Sequence, residues 1–415
     1  MKEVKPEFET YARIKVVGVG GGGNNAISRM TEANLKGIDF IAINTDAQDL
    51  HHCKVSEKIH IGKNLTRGLG AGMNPDVGRQ AAEENKDELQ DALKNSDMVF
   101  ITCGLGGGTG TGAAPIIAEA ARDAGALTVA IVTKPFAFEG PQRKAIAQEG
   151  LKNLESQVDT IITIPNDRIL QAIDKKTLLL ESFRIADDIL RQGVQGISDL
   201  ITIPGIVNVD FADVKSIMEN TGPSLMGIGT ASGENRATEA AKQAINSPLL
   251  ELSIDGAKGV LFNVSGGSDL TMMEINEAAS VVTESIDSDA KVIFGAITNE
   301  DLKKGEVKVT VIATGFGEQS FDRKKNLTDM EKRYVNVGVE KLAEETRENV
   351  KKEVKENEIK NEIKEEEKKD ASRSSQSEAG FFSPSVNPMK YDDEYDVPAF
   401  IRKKMNKDDK GDSEE

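Results

Sequence analysis

Gly106-Gly107-Gly108-Thr109-Gly110-Thr111-Gly112 sets five glycines and two hydroxyls between an apolar run, Met98–Thr102, and the helix-like Ala113–Ala120. Without Cβ atoms a ligand can approach the backbone closely. Where such a loop opens a helix, unpaired N–H groups and the positive end of the helix dipole favour a phosphate. Pro115 suits the first turn of that helix, where its missing N–H costs nothing. No Lys is present, which excludes the GxxxxGK[ST] loop of P-loop NTPases. A second loop, Gly18-Val19-Gly20-Gly21-Gly22-Gly23-Asn24-Asn25, follows the first strand and opens the first helix. It satisfies G-x-G-x-x-G, with Asp46 after the next strand, so a dinucleotide-binding Rossmann half is the rival reading. Two such loops on neighbouring strands favour a single triphosphate gripped from both sides.

Further chemistry follows the later strands. In Pro135–Arg143, Glu139 offers a carboxylate suited to ribose hydroxyls and Arg143 a guanidinium suited to polar ligand groups. Asn166 stands at a strand end. Phe183 can stack on a base, and Asp187 lies four residues on, on the same helix face. A carboxylate there accepts from guanine N1–H and its amine, whereas adenine N1 offers only a lone pair. Each has a structural alternative: Phe183 in the core, Asp187 solvated, Arg143 in a surface ion pair. Asn208, Asp210 and Asp213 form the last group. They suit the positioning of a water, but taken alone they read first as a helix cap, with Asp213 capping Val214–Asn220.

Around these groups the chain of 415 residues is long enough for two domains and extra segments. Its net charge of −17 argues against a nucleic-acid backbone binder. Cys53 and Cys103 are too few for a disulfide framework and fit a reducing cytosol. His51, His52 and His60 lack companion ligands at metal spacing; they read as surface-loop residues, and no protein metal site is expected. Met1–Glu9 is charged without an apolar core, and no run of about 18 apolar residues occurs, so a soluble cytoplasmic protein is expected.

The elements that must position the site follow an α/β pattern. Strands are expected at Ile14–Val17, Phe40–Asn44, Val99–Thr102, Thr128–Thr133 and Thr160–Ile164. Helices are expected at Asn24–Asn34, Val77–Leu93, Ala113–Ala124 and Gln142–Gln157. Near-continuous apolar strands alternating with helices imply a Rossmann-like parallel sheet covered on both faces. Over Leu178–Ile201, residues Leu179, Phe183, Ala186, Leu190, Val194, Ile197 and Ile201 step by three or four, marking a long central helix packed on several sides. From about Ser224 a smaller α+β unit follows, with helices Ala237–Ile245 and Asp269–Ser285 and strands Gly259–Val264, Val292–Ile297 and Val307–Thr314. Glu318–Asp370 is dominated by Lys and Glu and reads as a disordered charged linker. Tyr391–Lys404 then gathers apolar residues near the end of that tail, as a docking peptide would.

Taken together, Gly18–Asn25, Asn44-Thr45-Asp46, Gly106–Gly112, Thr133–Phe136, Ile164–Asp167 and Asn208–Asp213 resemble the FtsZ family of GTPases, to which tubulin is related, in order over about Arg13–Gly317. The resemblance implies a flexible segment (1–12), a GTP-binding domain (13–176), a core helix (177–203) and a polymerisation domain (204–317). The linker (318–389), a docking peptide (390–404) and a flexible end (405–415) complete it. It implies that Gly20, Gly21, Gly22, Gly23, Asn24, Asn25, Gly106, Gly107, Gly108, Thr109, Gly110 and Thr111 hold GTP or GDP with Mg²⁺. Glu139, Arg143, Asn166, Phe183 and Asp187 complete the pocket. Asn208, Asp210 and Asp213 become catalytic residues entering the next subunit of a head-to-tail homopolymer, which replaces the helix-cap reading. Pro398, Ala399, Phe400 and Arg402 become the contact for membrane-tethering adaptors and regulatory division proteins. The implied setting is the cytoplasmic division ring at mid-cell, with neither nucleic-acid binding nor direct membrane insertion.

Overall fold

Alternating strands and helices run from β1 (Ile14–Val19) and α1 (Gly20–Glu32) through β2 (Ile38–Asn44), α2 (Ala47–His52), β3 (Glu57–His60) and α3 (Lys63–Thr66). Next come α4 (Pro75–Glu84), α5 (Lys86–Leu93), β4 (Met98–Gly104), α6 (Thr109–Asp123), β5 (Leu127–Lys134), α7 (Pro141–Glu155), β6 (Thr160–Pro165) and α8 (Asn166–Ala172). The 24-residue α9 (Leu179–Thr202) leads to α10 (Phe211–Met218) and β7 (Gly222–Ser232). The remainder is α11 (Arg236–Ile245), β8 (Gly259–Gly266), α12 (Met272–Thr283), β9 (Lys291–Thr298) and β10 (Glu306–Thr314). This computed structural model describes residues 12–172, 177–250, 253–299 and 302–316. The linker and the docking peptide expected from the sequence lie outside the described residues. Among the described residues no helix is long and apolar enough to cross a membrane.

The strands order as β3-β2-β1-β4-β5-β6-β7-β10-β8-β9. β1 to β6 pair in parallel, whereas β10 runs antiparallel to both β7 and β8. Successive side chains of a strand face opposite ways, and the core divides accordingly. Val17, Val19, Val99 and Ile101 pack beneath α4 to α7, while Val16, Phe100, Val129 and Ile131 pack against α1 and α9. Along α9, Ala186, Leu190, Val194 and Ile197 are buried and share a core with Leu261 of β8 and Ile312 of β10. The central-helix expectation holds, but Phe183 is 39% exposed and Ile201 only half-buried.

Several local expectations need correction. Both glycine loops enter their helices early: α1 begins at Gly20 and α6 at Thr109. Pro115 therefore sits inside α6, not in its first turn. The expected helix Val77–Leu93 breaks at Asn85, whose Oδ1 accepts from Gly62 N at 2.9 Å. His51 and His52 lie at the end of α2, not in a loop, and His60 ends β3.

Strand β7 had no counterpart in the sequence reading, because Gly and Pro are depleted in strands. Its glycines answer to a neighbour: a Cβ at Gly227 or Gly229 would lie 2.0 Å from the Ala244 or Ala240 carbonyl of α11.

Candidate nucleotide site

A cavity of about 570 Å³ opens where Val19, Asn44, Gly104, Thr133 and Asn166 end or follow the parallel strands. Open α/β sheets bind ligands at this carboxyl edge, where helix N-termini converge. Gly20, with φ of +70°, turns β1 directly into α1, and a Cβ there would meet Gly110 N at 3.0 Å. The two glycine loops thus touch along one wall. Thr45 and Thr109 join their hydroxyls at 2.6 Å behind it.

Not every loop amide faces the cavity unpaired. Gly106 N donates to Thr111 Oγ1 at 2.9 Å, and Gly108 N donates to Gly72 O at 2.8 Å. Among the described residues no hydrogen bond engages the N–H of Gly107, Thr109 or Gly110. These three are left to meet an anion.

Across the cavity, Glu139 forms an ion pair with Arg143 and accepts from Phe136 N at 2.9 Å. Phe183 meets Phe136 edge-on, centroids 5.3 Å apart, and Phe136 stacks on Phe138 at 5.0 Å. An exposed ring braced in this way offers a face to a planar base. Asp187 accepts from Arg29 Nε at 2.9 Å. Burial pushes its carboxyl above the usual range, and the Arg29 bond opposes that rise. Asn166 is 6% exposed, and its Oδ1 has no partner among the described residues. Buried acceptors are normally satisfied, so a ligand donor would complete it.

The expected residues divide cleanly. Gly20, Gly21, Gly22, Gly107, Gly108, Thr109, Gly110, Glu139, Arg143, Asn166, Phe183 and Asp187 line the cavity. Gly23, Asn24, Asn25, Gly106 and Thr111 are not among the lining residues. Asn24 is buried with neither amide atom bonded, while Asn25 is exposed. Asp49 and the strap Leu69-Gly70-Ala71-Gly72 line the cavity but were missed as site residues, and Asp46, named only for the dinucleotide rival and the family motif, lines it as well. The strap did carry a signal, since Gly68-Leu69-Gly70-Ala71-Gly72 is a third glycine-rich stretch.

Asn208, Asp210 and Asp213 do not join this cavity. All three are exposed. Asp210, not Asp213, caps α10: its Oδ1 accepts from Asp213 N at 2.8 Å, because the cap must precede the amide it receives. Asn208 Oδ1 accepts from Gly205 N at 2.7 Å.

The tubulin/FtsZ GTPase-domain model matches residues 13–174, and the FtsZ C-terminal-domain model matches residues 222–317. An empty FtsZ dimer from M. jannaschii is 48% identical, covering 75% of this chain and 90% of that one, with a TM-score of 0.72. The chain belongs to the FtsZ family. A point mutant of the M. jannaschii FtsZ gives the same identity and TM-score over 93% of its length. CetZ2 from Haloferax volcanii, at 20% identity and a TM-score of 0.62 over 77% of this chain and 99% of its own, shares the fold. As an FtsZ-family member the protein is a tubulin-like cell-division GTPase that binds GTP and GDP.

Proposed function

We propose that this GTPase assembles head to tail into filaments of the cytokinetic ring, with GTP held between the cavity of one copy and Asn208, Asp210 and Asp213 of the next. One observation carries the reading: α9 lines the cavity at Asp187 and carries the chain away from it before Asn208, Asp210 and Asp213 lead into α10. Thr160, at the amino end of β6, bonds the Met218 carbonyl of α10, whereas the cavity lies at the carboxyl ends. From Asp187 to Thr202, α9 alone spans about 22 Å at 1.5 Å per residue. No side chain crosses that distance within one copy, which supports a site completed by the next copy. A contact joining unlike surfaces propagates without closing. The M. jannaschii FtsZ solved as a dimer supports self-association.

In this arrangement Gly107, Thr109 and Gly110 bind phosphate oxygens, while Glu139 and Arg143 hold the ribose and phosphate side. Phe183 carries the base and Asp187 accepts from the guanine edge. Asp210 and Asp213 accept hydrogen bonds from the attacking water, and the Asn208 amide orients it, so catalysis rests on positioning. Asp46 and Asp49 line the cavity, but among the described residues no group of three or more His, Cys, Asp or Glu could hold a metal ion. That donor set fits a Mg²⁺ that keeps phosphate oxygens and waters as most of its ligands. Bound there, the ion supplies neutralisation of phosphate charge. Pro398, Ala399, Phe400 and Arg402 anchor adaptors that tether the filament to the membrane at mid-cell.

GTP turnover per molecule, measured from nanomolar to micromolar protein, tests the shared site. Turnover should rise with concentration; a flat rate would sink the model.

A further inference from the structure

Gly108 is held on two sides by one stretch of chain. Its N–H donates to Gly72 O at 2.8 Å. Its carbonyl accepts from Gly112 N at 3.0 Å and so begins the α6 ladder. The same carbonyl lies against Gly78 of α4: a Cβ built there would stand 2.3 Å from Gly108 O, 3.0 Å from Gly108 C and 3.1 Å from Thr109 Cα. All three are backbone atoms, so no rotamer change relieves the clash. A second contact follows on α6, where a Cβ at Gly112 would stand 1.9 Å from Pro75 O and 2.7 Å from Arg79 N. Helix α4 and the first turn of α6 therefore touch backbone to backbone.

Helix α4 also continues from the strap. Asn74 joins them: its N–H donates to Ala71 O at 3.3 Å, and its Oδ1 caps α4 by accepting from Asp76 N at 3.0 Å. Gly72, Asn74 and Gly78 thus form one short lever whose two ends grip Gly108.

We propose that α4 is a positioning element for the GTP phosphates, with Gly78 setting where Gly108 and Thr109 stand. The inference rests on Gly107, Thr109 and Gly110 being the phosphate-holding amides. A side chain at Gly78 displaces that loop while leaving Phe183 and Asp187, across the cavity, in place. It therefore weakens recognition of phosphate and spares recognition of the base.

The test titrates the full chain with GDP and, separately, with guanosine, which lacks phosphates. Gly78→Ala should bind GDP about tenfold more weakly or worse, as loss of one charge-assisted hydrogen bond to phosphate would produce. Guanosine affinity should stay unchanged. Unchanged GDP affinity, or equal loss of both ligands, overturns the proposal. Should Gly78→Ala fail to fold, Asn74→Ala removes only the cap and should shift the two ligands in the same unequal way; equal shifts or none overturn the proposal.

Gly107→Asp separates this inference from the reading beneath it. Gly107 has open space for a side chain, and a carboxylate there repels phosphate. Weakened GDP binding in Gly107→Asp with none in Gly78→Ala overturns the role of α4 alone. Unchanged GDP binding in Gly107→Asp overturns the loop reading, and the inference falls with it.

Discussion

Arg29 Nε of α1 donates to Asp187 Oδ2 of α9 at 2.9 Å, at the end of the long helix that lines the nucleotide cavity. The side chains are 35% and 16% exposed, so this ion pair is more shielded than an ordinary surface pair. Burial raises the Asp187 pKa and Arg29 restrains the rise. In the proposed guanine contact only an ionised Asp187 accepts from both donors, so affinity for GDP should fall with decreasing pH earlier than an ordinary carboxylate would dictate. Arg29→Ala removes the restraint, and the fall should begin at higher pH. At neutral pH the variant, whose carboxylate has lost the donor that fixes and ionises it, should bind GDP more weakly than the parent. Calorimetric titration across pH checks this; coincident profiles for the two proteins would refute it.

The raised pKa also has a stability consequence. A carboxyl that titrates higher in the folded state contributes stability at low pH and loses it as pH rises through the folded value. Asp187→Asn should therefore leave the nucleotide-free protein as stable as the parent at pH 7, or more so, while weakening GDP binding. Thermal melts with and without GDP report both. A large loss of stability without nucleotide would count against this account.

Asp213→Ala should bind GDP normally yet lose GTP turnover about 100-fold, the low end for removing a positioned acid–base group. Equal losses in binding and turnover would make Asp213 structural. Mixing Asp213→Ala with Gly107→Asp supplies a sharper form. Each is impaired alone, but a mixed contact pairs an intact cavity with intact carboxylates. Turnover should reappear on mixing, and its absence would exclude a site shared between copies.

In the second half of the chain, Arg236 is 7% exposed and bonds Asp269 at 2.7 Å and Glu274 at 2.6 Å. Glu274 also accepts from Thr271 N at 2.8 Å, tying α11 to the start of α12. Arg236 first, then Thr271, hold its carboxyl down from the usual 4.5 to about 2. A lowered carboxylate pKa contributes stability above 4.5 that is lost as pH falls towards 2. Glu274→Gln should flatten that acid limb in urea titrations between these pH values. Arg236→Met, which leaves Glu274 without its cation, should lower stability at pH 7 and flatten the same acid limb.

Cys103 is fully buried in β4, and desolvation pushes its thiol up to about 12. The thiolate is the reactive form. In Cys53→Ser, leaving Cys103 alone, a thiol reagent at pH 8 should label nothing until denaturant is added. Rapid labelling of the native protein would show that the sheet opens locally.

The central features of the fold were legible because they depend on local pattern. Ile14–Val19, Met98–Gly104 and Leu127–Lys134 are apolar runs between helix-like segments, which a doubly covered parallel sheet demands. Gly106–Gly112 carries its chemistry in residue type alone, since absence of Cβ is a property of the chain. Strand β7 was hidden because its glycines answer to the close approach of the α11 backbone, a packing contact that residue pattern does not show. The strap Leu69–Gly72 was passed over because its place above the cavity depends on long-range bonds, Gly70 N to Thr45 O and Gly108 N to Gly72 O.

Asp187 and Asp213 mark the remaining division. Four-residue spacing put Phe183 and Asp187 on one helix face, and that spacing is a local property. Which groups answer them is not. Arg29 reaches Asp187 from 158 residues away, whereas the cap on α10 is local and falls to Asp210, three residues before the amide it receives. Sequence alone determined the two glycine loops, the parallel sheet and the long helix, because periodicity and missing side chains act over a few residues. Only the tertiary structure decided that Asn208–Asp213 stand apart from the cavity, because that depends on where α9 carries the chain.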